Sequence, residues 1–303
     1  MGPQNGSPVK IGLALGGGGA RGYAHFGVIF ALEKMGVHID CVAGTSMGAA
    51  VGALWATDQH LDCYKELLKL SRNGVREYLD PEIPLISGIL KGDKLFTLLE
   101  SWFKGYRIEH LTKQFRANAV ELESGAEITF SEGSLACAVR ASVSLPVILS
   151  PWEIQGKHYL DGGVTNPLPV RQCLDMGADY VIAVNLLSRT GLEPGSIPAR
   201  AKGHDIFRLP DELARIAGEL PAIRRLLDPV IPEIAFSAVL ISQKALTESN
   251  LKRWKPSIII EPELGKYTGG EFHLAEEISL LGTRAADEAL PEIISALDSR
   301  GSL

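Results

Sequence analysis

The chain has 303 residues, 46% of them hydrophobic, enough for one large core or two modest ones. Its 30 basic and 36 acidic side chains leave a formal net charge of −6, which argues against general nucleic-acid binding and against simple attraction to anionic lipid. The four cysteines include no C-x-x-C pair and read as reduced core residues. No apolar run approaches the roughly eighteen residues of a membrane-spanning helix, and the opening decapeptide lacks the apolar centre of a signal peptide. Gly6 stands where a myristoylation site carries Ser or Thr. The expected location is cytoplasmic.

In chain order, a flexible tail at residues 1–8 precedes one expected domain over residues 9–300, with no internal repeat or linker. "VKIGLAL" (Val9–Leu15) reads as a buried strand stopped by glycine. Residues 23–36 follow as a helix closing at Gly36, residues 39–46 as a second strand, and the small-residue run 47–57 as a second helix. Short connections between alternating strands and helices imply parallel strands and right-handed crossovers. A helix within residues 85–107 carries Leu95, Leu98, Leu99, Trp102 and Phe103 on one face, with Asp93 expected as N-cap. That stripe reads as core, with a lid over an acyl chain as the competing reading. Residues 116–130 read as a hairpin turned at Glu123-Ser124-Gly125. A helix at 134–142 follows, then strands at 157–163, 178–186 and 256–262, with helices over much of 205–253 and from about Leu274 to Leu297. The expected fold is α/β, a three-layer α/β/α domain around a mainly parallel sheet.

Gly16 to Gly19 crowd the end of the first strand, and Gly17, Gly19 and Gly22 match G-x-G-x-x-G at a strand-to-helix junction. Such bare backbone suits a dinucleotide phosphate or a negative charge that exists only during a reaction. The dinucleotide reading needs an acid about twenty residues on, at the carboxyl end of the second strand. Asp40 has the spacing but stands at the strand's beginning. At its end stands Gly44-Thr45-Ser46-Met47-Gly48, a G-x-S-x-G turn that projects a serine hydroxyl at a helix N-terminus. Parallel neighbouring strands bring the glycine loop and Ser46 to one edge, where loop N–H groups can face the oxygen of an acyl group that Ser46 attacks.

A serine needs a base. The hydrolase order serine, acid, histidine nominates His204 or His273, but both read as surface or capping residues. Asp161 in "HYLDGGVTNPLP" ends a strand before two glycines, which leave its carboxylate uncrowded. With an ordinary pKa near 3.9 it is a weak base, able to take the serine proton if the two are hydrogen-bonded away from water.

Gly17-Gly18-Gly19-Ala20-Arg21-Gly22, Gly44-Thr45-Ser46-Met47-Gly48 and Asp161-Gly162-Gly163, in that order, resemble the patatin-like phospholipase family, specifically its bacterial branch related to the catalytic domain of neuropathy target esterase. "VRASVSLP" at 139–146 and "LDMGADYVIAV" at 174–184 look like the same family, and the likeness covers residues 9–186 most strongly. The resemblance implies a serine esterase acting on fatty-acyl esters, lysophospholipids or phospholipids, through a Ser–Asp dyad without histidine. Carried over, Ser46 is the nucleophile, Asp161 the base, and the N–H groups of Gly17, Gly18 and Gly19 the oxyanion hole. No cofactor, metal or nucleic acid is implied, and peripheral contact with a membrane or micelle is compatible with it. "VILSPWE" departs from the family's usual phenylalanine and reads as a changed acyl pocket. Arg21 reads as loop support, a phosphate contact or a carboxylate's partner, and His25 as a packing or orienting residue. The rivals are a nucleotide-binding regulatory protein, a catalytically silent lipid sensor, and an enzyme that passes the acyl group to another alcohol.

Overall fold

The structure of the protein is a computed structural model describing residues 9–82, 87–103, 105–188, 230–267 and 269–299, with only the backbone of 230–237. The tail at 1–8, His204 and residues 205–229 of the expected helical stretch lie outside the described residues.

Among the described residues eight strands form one sheet: β1 (Ile11–Leu15), β2 (Cys41–Thr45), β3 (Gln114–Glu121), β4 (Glu127–Phe130), β5 (Trp152–Ile154), β6 (Lys157–Asp161), β7 (Tyr180–Val184) and β8 (Ile258–Ile260). Their order is β5-β6-β3-β2-β1-β7-β8, with β4 paired to β3. The run from β3 to β8 is parallel, whereas β4 and β6 lie antiparallel to β3, and β5 antiparallel to β6. The helices are α1 (Tyr23–Lys34), α2 (Met47–Ala56), α3 (His60–Leu67), α4 (Arg72–Glu77), α5 (Asp93–Phe103), α6 (Leu135–Ser142), α7 (Val170–Asp175), α8 (Val230–Arg253) and α9 (Ala275–Asp298).

Both faces of the sheet are covered, which is why its central strands read as continuous apolar runs. Successive side chains point to opposite faces. Ile11, Leu13, Leu15, Val42 and Ile182 enter the core shared with α1, α2 and α9. Ala14, Cys41, Ala43, Val181 and Ala183 face α7 and Leu251 of α8. In β1 the small residues thus face one layer and the large ones the other.

Two expectations are corrected. Asp93 is not the N-cap of α5 but a residue of its first turn. The cap is Asp80, whose Oδ1 accepts the Gly92 N–H at 2.9 Å and whose Oδ2 accepts those of Asp93 and Lys94 at 2.7 and 3.1 Å. A carboxylate at a helix N-terminus satisfies orphan amides and complements the dipole, whatever its distance along the chain. The α5 stripe is only partly core: Leu99 and Phe103 are buried, whereas Leu95, Leu98 and Trp102 are half-buried and, with Leu99, line a pocket.

Candidate active site

Ser46 joins β2 to α2 with φ 56° and ψ −127°, a backbone conformation that costs a non-glycine residue on the order of 1–3 kcal/mol. It persists because its neighbours over-determine it. The Ser46 N–H donates to Ser142 Oγ at 2.9 Å, its carbonyl accepts from Ala49 and Ala50 at 2.9 and 3.2 Å, and Thr45 Oγ1 donates to the Asn166 carbonyl at 2.9 Å. A Cβ on Gly48 would stand 2.2 Å from the Leu15 carbonyl oxygen, so this glycine lets α2 approach β1. That is a packing role.

Asp161 arrives from the opposite direction. Because β3 runs past the end of β2, its last residues form a ledge on which antiparallel β6 docks, pairing Ala119 with Asp161. Asn118, one residue earlier, pairs with Thr45. The end of β6 therefore comes level with the end of β2 although the two strands run oppositely. The Asp161 N–H donates to the Ser144 carbonyl at 2.9 Å, and its Oδ1 accepts the Gly163 N–H at 2.7 Å. The carboxyl is fully buried, and desolvation pushes its pKa up to about 6. The Ser46 hydroxyl and the Gly163 amide pull the other way. Ser46 thus lies beside the carboxylate, yet Oδ2 makes no hydrogen bond of full geometry. The two groups are neighbours, and catalytic hydrogen bonds of this kind tighten when substrate binds.

The glycine loop divides. Gly16 N–H donates to Val184 at 3.1 Å and Gly17 N–H to Pro167 at 2.9 Å, so Gly17 has no free donor and leaves the expected oxyanion trio. Gly18 and Gly19 N–H have no acceptor among the described residues. His25 Nε2 meets the Gly16 carbonyl at 2.7 Å, and burial lowers its pKa to about 4, so a neutral His25 holds the loop from behind. Arg21 is loop support: its Nε donates to the Tyr267 carbonyl at 2.9 Å, with the opposite charge of Glu271 nearby. His273 is turned elsewhere, its Nε2 accepting from Arg72 Nε at 3.0 Å. Asp40 Oδ2 accepts the Ile11 N–H at 2.7 Å, at the opposite edge of the sheet from the glycine loop.

Ser46, Gly18 and Gly19 open into a pocket of ≈ 270 Å³ whose far walls are Leu, Val and aromatic side chains of α2, α4 and α5. Ser46, Gly18 and Gly19 thus form part of the wall of a largely apolar chamber, with Asp161 buried beside Ser46. A family model described as Patatin-like phospholipase matches residues 13–174. The chain belongs to the patatin-like phospholipase family. It is similar to an NTE family protein of Mycobacterium tuberculosis, 40% identical over 195 residues that cover 64% of this chain and 52% of that protein. A second NTE family protein of that organism is 31% identical over 299 residues, covering 94% of this chain and 48% of that protein. Lysophospholipase NTE1 of Debaryomyces hansenii is 36% identical over 181 residues, covering 58% of this chain and 12% of that protein. The chain therefore spans about half the length, or less, of the curated relatives it matches.

Parts of this patatin-like site carried no motif. "VRASVSLP" resembles the family without a task legible in the sequence; in the structure Ser142 and Ser144 tie the Ser46 turn and Asp161 to the end of α6. Arg140, fully buried, donates to Ser144 Oγ at 2.7 Å and to the Lys91 and Gly92 carbonyls at 2.7 and 3.1 Å. Burial draws its pKa down to about 10, so it stays cationic at neutral pH and links α6 to the start of α5. Beyond the family match, the Gly269 carbonyl accepts the Ala20 N–H at 2.7 Å and braces the glycine loop. Gln243 of α8 completes the pocket wall. Among the described residues no helix is long and apolar enough to cross a membrane.

Proposed function

We propose that the protein is a serine acyl-ester hydrolase of lipids, working through Ser46 and Asp161. The observation that carries this reading is the pairing of a Ser46 hydroxyl on a strained turn with a buried Asp161 carboxylate whose Oδ2 is unpartnered, at the polar end of an apolar pocket. Ser46 Oγ attacks the ester carbonyl and its proton passes to Asp161. The N–H groups of Gly18 and Gly19 hold the tetrahedral oxyanion, while Gly17 supplies position only. Asp161 returns the proton to the leaving alcohol. Water then gives its proton to Asp161, attacks the acyl-enzyme and releases the fatty acid, after which Ser46 regains its proton. A long acyl chain fits the walls of Leu95, Leu98 and Trp102, and the substrates are lysophospholipids, phospholipids or related esters, met at a membrane or micelle surface.

A fluorophosphonate probe followed by peptide mapping tests the nucleophile. Label on Ser46, lost in Ser46→Ala, is the expected result; label elsewhere, or none, defeats the reading.

The base predicts a pH profile. Asp161 acts only when ionised, and its pKa stands at about 6, so kcat/KM should climb about tenfold per pH unit below that value and level off above it. Steady-state rates on a soluble ester between pH 4 and 9 check this. A limb centred well away from 6 points to another base.

A further inference from the structure

The side chain of Gln243 is buried, with 5% of its surface exposed, and lines the same pocket as Ser46, Gly18 and Gly19. Its carbonyl on the main chain accepts Thr247 Oγ1 at 2.8 Å, but its carboxamide has no hydrogen-bond partner among the described residues. Gln59 Nε2 and Asn118 Nδ2 are also buried without a partner, but neither residue lines the pocket, and other amides are paired. Gln172 Nε2 donates to Glu127 Oε1 at 2.7 Å, and Asn166 Nδ2 donates to Gln172 Oε1 at 3.1 Å. The Gln243 carboxamide is reached from the pocket, so its donor and acceptor are open to whatever fills that space. A pocket-facing amide is explained by a ligand that completes it.

The position of the amide tells which part of a ligand that is. Gln243 Nε2 lies 2.4 Å, and Asp161 Oδ1 3.0 Å, from the point where a Cβ on Gly163 would stand. Gln243 therefore packs on the turn that carries the acid. Resting on the hydrolase reading above, the proton Asp161 takes from Ser46 must go next to the departing alcohol, so the alcohol leaves on the Asp161 side. The acyl chain occupies the far, apolar walls, and Gln243 is left facing the alcohol half of the ester.

We infer that Gln243 is a specificity-determining residue that hydrogen-bonds the alcohol portion of the substrate and favours alcohols bearing an oxygen beside the scissile ester, as a glycerol backbone does, over plain alkyl alcohols. Its amide presents both a donor and an acceptor, which suits a neighbouring hydroxyl. A methyl or ethyl ester leaves both unpaired.

The test compares kcat/KM for a monoacylglycerol and for the methyl ester of the same fatty acid in wild type, Gln243→Met and Gln243→Leu. Wild type should prefer the monoacylglycerol, and the ratio should fall by about fivefold or more in both variants, the worth of one or two neutral hydrogen bonds. Fluorophosphonate labelling of Ser46, which brings no hydroxylated alcohol, reports separately on the nucleophile. Labelled variants that keep the wild-type ratio, or a wild type without preference, overturn the inference and leave the hydrolase reading intact. Failure of the wild type to label at Ser46 overturns the reading beneath it. Should neither apolar variant melt cooperatively, Gln243→Ala removes both donor and acceptor without adding bulk and must also lose the preference; if it keeps it, the inference falls.

Discussion

Asp161→Asn is expected to be more stable than wild type at pH 8 and slower by roughly 10²–10⁴ in kcat, the usual contribution of a positioned base. The gain follows from what burial does to the carboxyl. Its folded pKa is about 6, against 3.8 for the ordinary side chain, with desolvation the largest cause. Below about pH 4 both folded and unfolded chains hold the proton, so the group is neutral to stability. Between about 4 and 6 the unfolded chain gives up a proton that the folded chain still keeps, so stability falls as pH rises. Above 6 the native state carries a buried charge and the deficit levels off at up to about 3 kcal/mol. An asparagine has no charge to desolvate, and its Oδ1 can keep the Gly163 N–H that Asp161 accepts at 2.7 Å. Urea denaturation at pH 8 and pH 4 checks the claim: the advantage should be present at the first and absent at the second. A variant less stable at pH 8, or one with kcat intact, would mean the buried charge is neither the liability nor the base described above.

The site therefore concentrates two local costs, a strained Ser46 and a desolvated Asp161, and the end of α6 holds both. Ser142 accepts from one and Ser144 from the other, while Arg140 fixes Ser144 to the segment that opens α5. Without such a frame the turn would relax to a cheaper φ and the acid would turn to water.

How much of this was legible depends on whether the cause is local. The apolar run at the β1 position, the glycine stop and the small-residue α2 are local statements, and they place β1, β2 and the Ser46 turn within two residues of where they stand. Parallel pairing then brought the glycine loop and Ser46 to one edge, as the alternation of elements implied. The acid was legible by its glycines, but its approach was not: the β3 ledge and antiparallel β6 depend on pairing between segments forty residues apart. Asp80 capping α5 and Gly269 holding Ala20 are likewise contacts between distant segments. Gly17 was misassigned because one glycine amide looks like the next until the Pro167 carbonyl is seen against it. Gln243 left no trace, since a lone glutamine on a helix has no pattern to read.

Gly19→Ala should lower kcat by roughly 10²–10³, the loss expected when an oxyanion donor is displaced. Two effects meet at this residue. Its φ is +57°, a region that costs an alanine about 1–2 kcal/mol, and the added Cβ would stand 2.4 Å from the Gly269 carbonyl oxygen. That oxygen is backbone and already accepts the Ala20 N–H at 2.7 Å, so relief requires the glycine loop itself to move. Gly36→Ala separates the two effects. Gly36 has φ +75° at the end of α1, and its Cβ would meet nothing within 4 Å. It should lose stability of the same order through conformation alone, while leaving turnover of a soluble ester intact. Thermal melts paired with kcat for both variants decide the matter. If Gly19→Ala costs no more activity than Gly36→Ala, the bracing of Gly18 and Gly19 by Gly269 is not what aims their N–H groups.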